Sequence, residues 1–173
     1  MATLLPFIIS LLSLNAGAIR ASDQSLPLVR FQGCYDGDTC TTTDAEKVRL
    51  ACIDAPEIRQ KCKKEKLKIS LIIGFSFYED YNCGEVSREK LEKKVDRSKI
   101  KCISSSKDRY ERYLAKCFKE KINLNQWMVR NGHAVAYRRY SKEYISDEDF
   151  AKENKLGLWQ GKFLVPEKWR KLN

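Results

Sequence analysis

The chain has 173 residues, which is the length of one domain and enough for a modest closed core. Its 33 Lys and Arg against 23 Asp and Glu leave a net charge of +10, which attracts polyanions nonspecifically because each phosphate contacted releases counterions. A lone histidine, His133, and the absence of any C-x-x-C argue against a zinc centre, and no repeat, low-complexity tract or linker divides the sequence.

Residues 1–21 read as a secretory signal. Leu4–Leu14 is apolar apart from Pro6 and two serines, and Ala16-Gly17-Ala18 offers a small-residue cleavage site, so processing is expected near residue 18 or after Ala21. The run is too short to span a bilayer comfortably. No Lys or Arg precedes it, which keeps an uncleaved anchor as the alternative. Ser22–Leu28 would be a short mature arm.

The next stretch carries the chemistry. Cys34–Glu57 reads C-Y-D-G-D-T-C-T-T-T-D-A-E-K-V-R-L-A-C-I-D-A-P-E. It sets Asp36, Asp38, Asp54 and Glu57 around two β-prone runs, Thr39–Thr43 and Lys47–Ile53, with Asp44-Ala45-Glu46 as the turn. Asp38 and Asp54 both lie eight residues from Glu46. A hairpin centred there places them opposite each other, about 4.5–5.5 Å apart. Like charges at that distance repel unless a cation lies between them, which makes Asp38 and Asp54 candidate metal ligands. Pro56 fixes its own φ and holds Ala55 extended, presenting Glu57 from a rigid corner. A carboxylate just outside a metal site suits a general base acting on water. The alternative is a hairpin with solvated acids at its open end. Arg49, five residues before Asp54, falls on the opposite face of a straight strand and joins the acids only through curvature or a bulge.

Lys61–Asn82 holds a lysine-rich run and the apolar I-S-L-I-I-G-F-S-F-Y, again too short for a membrane span. An extra hairpin bent at Gly74, a lid near the acids and a membrane-surface contact are all open, with packing against the rest of the fold favoured. Glu85–Val95 reads as a charged helix with Ser87, Leu91 and Val95 on one face. Lys99–Ile103 and Tyr113–Phe118 are β-prone runs around a turn at Lys107–Glu111. Asn123–Asn131 is a second helix, with Asn123 as N-cap, Gln126 able to close a capping box and Gly132 ending it; Leu124, Trp127 and Met128 face the core. Ser146 begins a third helix, stopped by Gly157. Among seven cysteines, Cys102 and Cys117 flank the second turn symmetrically and form the best pair. Cys34 and Cys40 flank D-G-D, Cys62 and Cys83 bracket the inserted segment, and Cys52 is left as a small buried hydrophobe. Spacing leaves this connectivity open.

Four pieces in this order resemble the staphylococcal-type nuclease, or thermonuclease, family. They are D-G-D-T followed by R-L-A-C-I-D-A-P-E; D-R-Y-E-R-Y-L-A at Asp108–Ala115; N-L-N-Q-W-M-V-R-N-G-H-A at Asn123–Ala134; and A-K-E-N-K-L-G-L-W at Ala151–Trp159. The resemblance runs from about Leu28 to Trp169, with an interruption at 61–82. It implies an α+β chain in which residues 28–170 form an OB-fold five-stranded Greek-key β-barrel with about three helices. It also implies a calcium-dependent phosphodiesterase that cuts DNA and RNA. Asp38, Asp54 and the backbone carbonyl of Ala55 would then hold Ca2+, with Asp36 supporting them. Ala55 stands where relatives often carry threonine. Oxygen-only donors select a hard cation, and the choice of calcium rests on the resemblance. Arg49 and Arg112 become the phosphate clamp and Glu57 the general base. Arg109 and Tyr110 match positions that bind a terminal phosphate, and Tyr137 or Tyr140 would stack on a base. Glu111 stands where many relatives have glycine.

The expected protein is a monomer without an obligate protein partner, secreted or held in the periplasm or cell envelope, acting on unpaired DNA or RNA. The competing class is a catalytically silent OB-fold nucleic-acid binder of the envelope. Such a protein would be expected to lose some of Asp38, Asp54, Glu57, Arg49 and Arg112, and all five are present. A histidine-based nuclease needs histidine at the scissile bond, whereas His133 follows a helix-ending glycine away from the acids.

Overall fold

The structure is a computed structural model describing residues 24–69 and 75–173. The expected signal segment and the bend at Gly74 lie outside the described residues. Strands β1 (Gln24–Ser25), β2 (Phe31–Cys34), β3 (Thr39–Thr42) and β4 (Lys47–Leu50) are followed by the short β5 (Ile53–Asp54). A long hairpin, β6 (Lys61–Ile69) and β7 (Phe75–Asn82), runs directly into helix α1 (Cys83–Val95). A second hairpin, β8 (Lys101–Lys107) and β9 (Tyr113–Lys119), is followed by β10 (Ile122–Asn123), α2 (Leu124–Arg130), β11 (Val135–Ala136) and α3 (Ile145–Glu153). A 3-10 turn at Gly157–Gln160, β12 (Gly161–Lys162) and α4 (Pro166–Leu172) follow. The described residues are α+β, with four α-helices where about three were expected; α4 is the addition.

The principal sheet has the order β1-β8-β9-β4-β3-β2, with β10 added to β9. Its β4–β9 pair is parallel and the other pairs are antiparallel. The segment 24–34 serves both edges of this sheet. Its first half pairs with β8, through Gln24–Ser104 and the Val29–Ile100 bridge, and its second half pairs with β3. Val48, Leu50, Ile53, Leu91, Ile100, Leu124, Met128 and Val129 fill the interior. Helix α1 covers it with the face expected from its period, burying Ser87, Leu91 and Val95.

The register of the first hairpin corrects the expectation that it centres on Glu46. Thr39 pairs with Arg49 and Thr41 with Lys47, so the turn centres on Asp44, with Ala45 at φ 62°. Asp38 therefore meets Leu50, whose N–H donates to the Asp38 carbonyl at 2.7 Å, and not Asp54. The second run is also not one strand to Ile53. It stops at Leu50, and Cys52 sits in the left-handed region at φ 65°. Neighbours fix this break: Ala51 N–H bonds Ala115 O at 2.9 Å, Asn125 Nδ2 bonds Ala51 O at 2.8 Å, and Tyr137 N–H bonds Cys52 O at 3.0 Å. The chain restarts as β5, which pairs with β11 through Asp54–Val135 and Ile53–Ala136.

Two further expectations about the helices change. Asn123 caps α2 through the Gln126 N–H at 3.2 Å, but the Gln126 side chain does not complete a capping box. It donates instead to the buried Asp147 carboxylate at 3.1 and 3.2 Å, tying α2 to α3. Helix α3 starts at Ile145 and ends before Gly157, which opens the 3-10 turn at φ 51°. The inserted hairpin pairs with β12 in a separate three-stranded sheet and leaves Phe77 57% exposed. Disulfides join Cys34–Cys40, Cys62–Cys83 and Cys102–Cys117, the last across directly paired residues of β8 and β9. Cys52 is free and half-buried rather than fully enclosed. Three such bonds fit maturation in an oxidising compartment. Among the described residues, no helix is long and apolar enough to cross a membrane.

Candidate active site

The D-G-D loop between β2 and β3 is built by its first aspartate. Asp36 Oδ1 accepts the N–H groups of Asp38 at 2.9 Å and Thr39 at 2.7 Å, and the Cys34–Cys40 disulfide closes the loop at its base. Gly37 has no room for a side chain, since a Cβ there would lie 1.8 Å from Ser87 Oγ and 2.9 Å from the Ala55 Cβ. Ser87 itself is held by donating to His133 O at 2.7 Å. Helix α1 thus presses the loop against the segment after β5. Gly84 does the same for Glu57, whose carbonyl oxygen lies 1.9 Å from where a Gly84 Cβ would sit. The Glu57 N–H is tied to Gln60 Oε1 at 3.3 Å, and Gln60 in turn donates to Leu164 O at 2.6 Å.

These supports bring Asp38 and Asp54 together by a route other than opposed strand positions. Asp38 Oδ2 accepts the Ala55 N–H at 2.9 Å, and Asp38 Oδ1 accepts Thr39 Oγ1 at 2.9 Å. Arg49 bridges the pair, with Nη1 on Asp38 Oδ1 and Nη2 on Asp54 Oδ1 at 3.2 Å. Arg112 approaches from the turn just before β9. Its Nε and Nη2 grip Asp108 Oδ2 at 2.8 and 2.7 Å, and Nη1 lies 3.4 Å from Thr39 Oγ1. Asp108 also accepts the N–H groups of Tyr110 and Arg112, so the second turn is an organised arginine support. Glu111 occupies φ 60° within it, a conformation that favours glycine.

One residue at the centre was absent from the expected set. Arg170, on α4, places Nη1 3.0 Å from Asp54 Oδ1 and 2.8 Å from Glu57 Oε1, with Nη2 3.0 Å from Asp54 Oδ2. The signal for α4 is brief: Pro166 at the first helical position and a Glu167–Lys171 pair one turn apart.

The acids are buried and crowded. Burial, and then the neighbouring Asp38 carboxylate, push Asp36 up to about 8. Burial also raises Asp54, against the hydrogen bonds from Arg170. Burial would lower the Arg49 guanidinium, but Asp38, Asp54 and Asp36 outweigh it and hold it above its usual value. Among the described residues no three His, Cys, Asp or Glu side chains form a ready-made metal cage. The sparser set of two carboxylates and the Ala55 carbonyl suits a hard cation that keeps water and a phosphate oxygen among its ligands. Two guanidiniums already neutralise Asp54, which is fully buried, so the place demands positive charge. The donors fit a divalent cation.

The expected rim residues fall in two places. Tyr110 is exposed, with the Arg109 and Arg112 guanidiniums 4.8 and 5.3 Å from its ring. Tyr137 lines a cavity of about 240 Å³ with Asp54, Arg138 and Arg139. Tyr140 stacks edge-on to Tyr137 at 4.7 Å and is largely solvent-exposed. A larger cavity of about 370 Å³, lined by Lys64, Tyr81, Lys90 and His133, contains none of the acids. Burial, then Lys90, lowers His133 to about 4.

Comparison with known proteins places this arrangement in context. The family described as "Staphylococcal nuclease homologue" matches residues 47–161. The succinoglycan biosynthesis protein ExoI of Rhizobium meliloti (strain 1021) is 31% identical over 137 residues, covering 78% of this chain and 65% of that protein. The chain thus spans slightly less than two thirds of that relative. A protein named "Uncharacterized endonuclease" from Haemophilus influenzae is 32% identical over 143 residues, with 79% and 68% covered. The micrococcal nuclease of Shigella flexneri is 29% identical over 153 residues, with 79% and 76% covered.

Proposed function

The chain belongs to the staphylococcal nuclease homologue family, and from that premise we propose that it is a secreted, calcium-dependent phosphodiesterase cleaving DNA and RNA. The observation that carries this reading is Arg49 bridging Asp38 and Asp54, with Glu57 joined to the same carboxylate through Arg170. Relatives named endonuclease and micrococcal nuclease support the reaction class. The three disulfides support export. Support for a closed five-stranded Greek-key barrel comes from segment 24–34 pairing at both edges of the principal sheet.

In this reading Asp38, Asp54 and the Ala55 carbonyl hold the cation. When bound, the cation supplies positive charge to a phosphate oxygen and orients water. Arg49 and Arg112 offer paired donors to the phosphate and to the charge that develops on it. Glu57 takes the proton of the attacking water, so a phosphorus–oxygen bond forms as the bond to the leaving sugar oxygen breaks. Thr39, between Arg112 and Asp38, keeps the clamp in step with the cation side. Arg109, Tyr110 and Tyr137 bind an unpaired strand at the rim, and the +10 charge gathers it. The protein works as a monomer.

The experiment is cleavage of plasmid DNA and single-stranded RNA with calcium, then with chelator. Cleavage that chelation stops is expected. Equal cleavage with and without chelator would remove the metal, and none under either condition would favour a silent binder.

A further inference from the structure

The terminal helix presents a contradiction within the site. Arg170 engages both oxygens of Asp54 and one oxygen of Glu57, so a single guanidinium covers a metal ligand and the general base together. Arg49 takes a further position on Asp54 Oδ1. Three of the four lone-pair positions of Asp54 are thus taken by guanidinium N–H groups, so a cation on Asp54 competes with Arg170, and the same guanidinium stabilises the Glu57 carboxylate against taking a proton.

The rest of α4 is lightly attached. Pro166 is its one buried residue, and Leu172 at its far end is 72% exposed. Before the helix, Gln60 Nε2 holds Leu164 O; within it, Glu167 meets the exposed Arg139 at 3.7 Å. Surface pairs of that kind hold little. The bidentate, partly buried Arg170–Asp54 contact is the strong one. Arg170 lies beyond residues 47–161, the range matched by the family.

We propose that Arg170 sets the cation requirement of this site: it is an internal competitor for Asp54 that holds α4 over the acids until a divalent cation displaces it. The proposal rests on the metal-dependent reading above. It gives the chain two cation-bound states of one carboxylate, with the guanidinium on it and α4 docked, or with the metal on it and α4 released at its C-terminal half. The hinge lies between Leu164 and Pro166, where the Gln60 bond persists in both. Glu57 is freed by the same displacement, so metal arrival and base exposure are one event.

The test uses the full chain with calcium alone as the probe. Isothermal titration calorimetry compares the wild type with Arg170→Met, and hydrogen exchange follows residues 168–171 in each. Loss of a charge-assisted competitor should tighten calcium binding about tenfold or more in Arg170→Met. In the wild type, calcium should speed exchange at 168–171, and in Arg170→Met these amides should already exchange fast without it. The wild-type exchange measurement needs no substitution and stands even if the variant folds poorly. Equal calcium affinity in the two proteins, abolished in both by Asp38→Ala, would overturn the role of Arg170 and leave the metal site standing. Unchanged exchange at saturating calcium would do the same. No calcium binding to either protein would overturn both readings.

Discussion

Arg49 and Arg170 reach the same carboxylate from different kinds of support. Arg49 stands in the middle of β4, between β3 and β9, with Val48 and Leu50 on either side each 1% exposed. Arg170 stands on a seven-residue helix with one buried residue. The first charge is positioned by the sheet whether or not a ligand is present. The second is positioned largely by the pairs it makes, and moves when those pairs are replaced. In the proposed reading the sheet thus holds the phosphate donor, and α4 carries the part able to yield.

The largest expected effect separates the two arginines by chemistry. Arg49→Lys retains a charge but loses the planar fork, and single-turnover cleavage should fall about 10²–10³-fold. In Arg170→Lys the main change should be a lower calcium concentration for half-maximal cleavage. Equal losses of turnover in both variants would erase the distinction. A smaller effect comes from the framework. Replacing Cys102 and Cys117 by alanine should lower stability by about 3 kcal/mol in a urea titration, given the 15-residue separation. The calcium response of α4 should persist in that variant, and its loss would mean that strap and framework are one unit.

The smallest effect concerns His133, which belongs to the framework. Its value falls from 6.5 to about 4 on folding, through burial and then Lys90. The unfolded chain therefore binds the extra proton between those values. Stability is fully present above pH 6.5 and declines as pH falls toward 4. Allowing for partial exposure, the loss should be about 1–2 kcal/mol, and His133→Gln should flatten that part of the profile. An unchanged slope in the variant would assign the acid loss to other groups.

Much of the framework could be read from spacing. The Cys102–Cys117 and Cys34–Cys40 bonds match the pairs that symmetric positions about a turn suggest, because paired strands join residues whose numbers share a sum. The α1 face follows from its period, and the Asn123 cap from its side-chain chemistry. The site was less legible. Opposed Asp38 and Asp54 was an arithmetic coincidence around Glu46; their meeting depends on Cys52 at positive φ, held by Ala115, Asn125 and Tyr137 from distant segments. That break is also what lets Arg49 reach the acids, where a straight strand would turn it away. Gln126 looked like half of a capping box because the pattern is local, whereas Asp147, the acceptor it actually meets, is far along the chain. Arg170 is not legible as a site residue because α4 is under two turns long and its partners are more than a hundred residues away.

The central claim is that Glu57 activates water beside a cation held by Asp38 and Asp54. Single-turnover cleavage of a single-stranded DNA oligonucleotide by Glu57→Gln, with its calcium titration, tests it most directly. A general-base role predicts calcium binding at least as tight as in the wild type, with turnover reduced about 10²–10⁴-fold. Cleavage by Glu57→Gln at a near wild-type rate would contradict it.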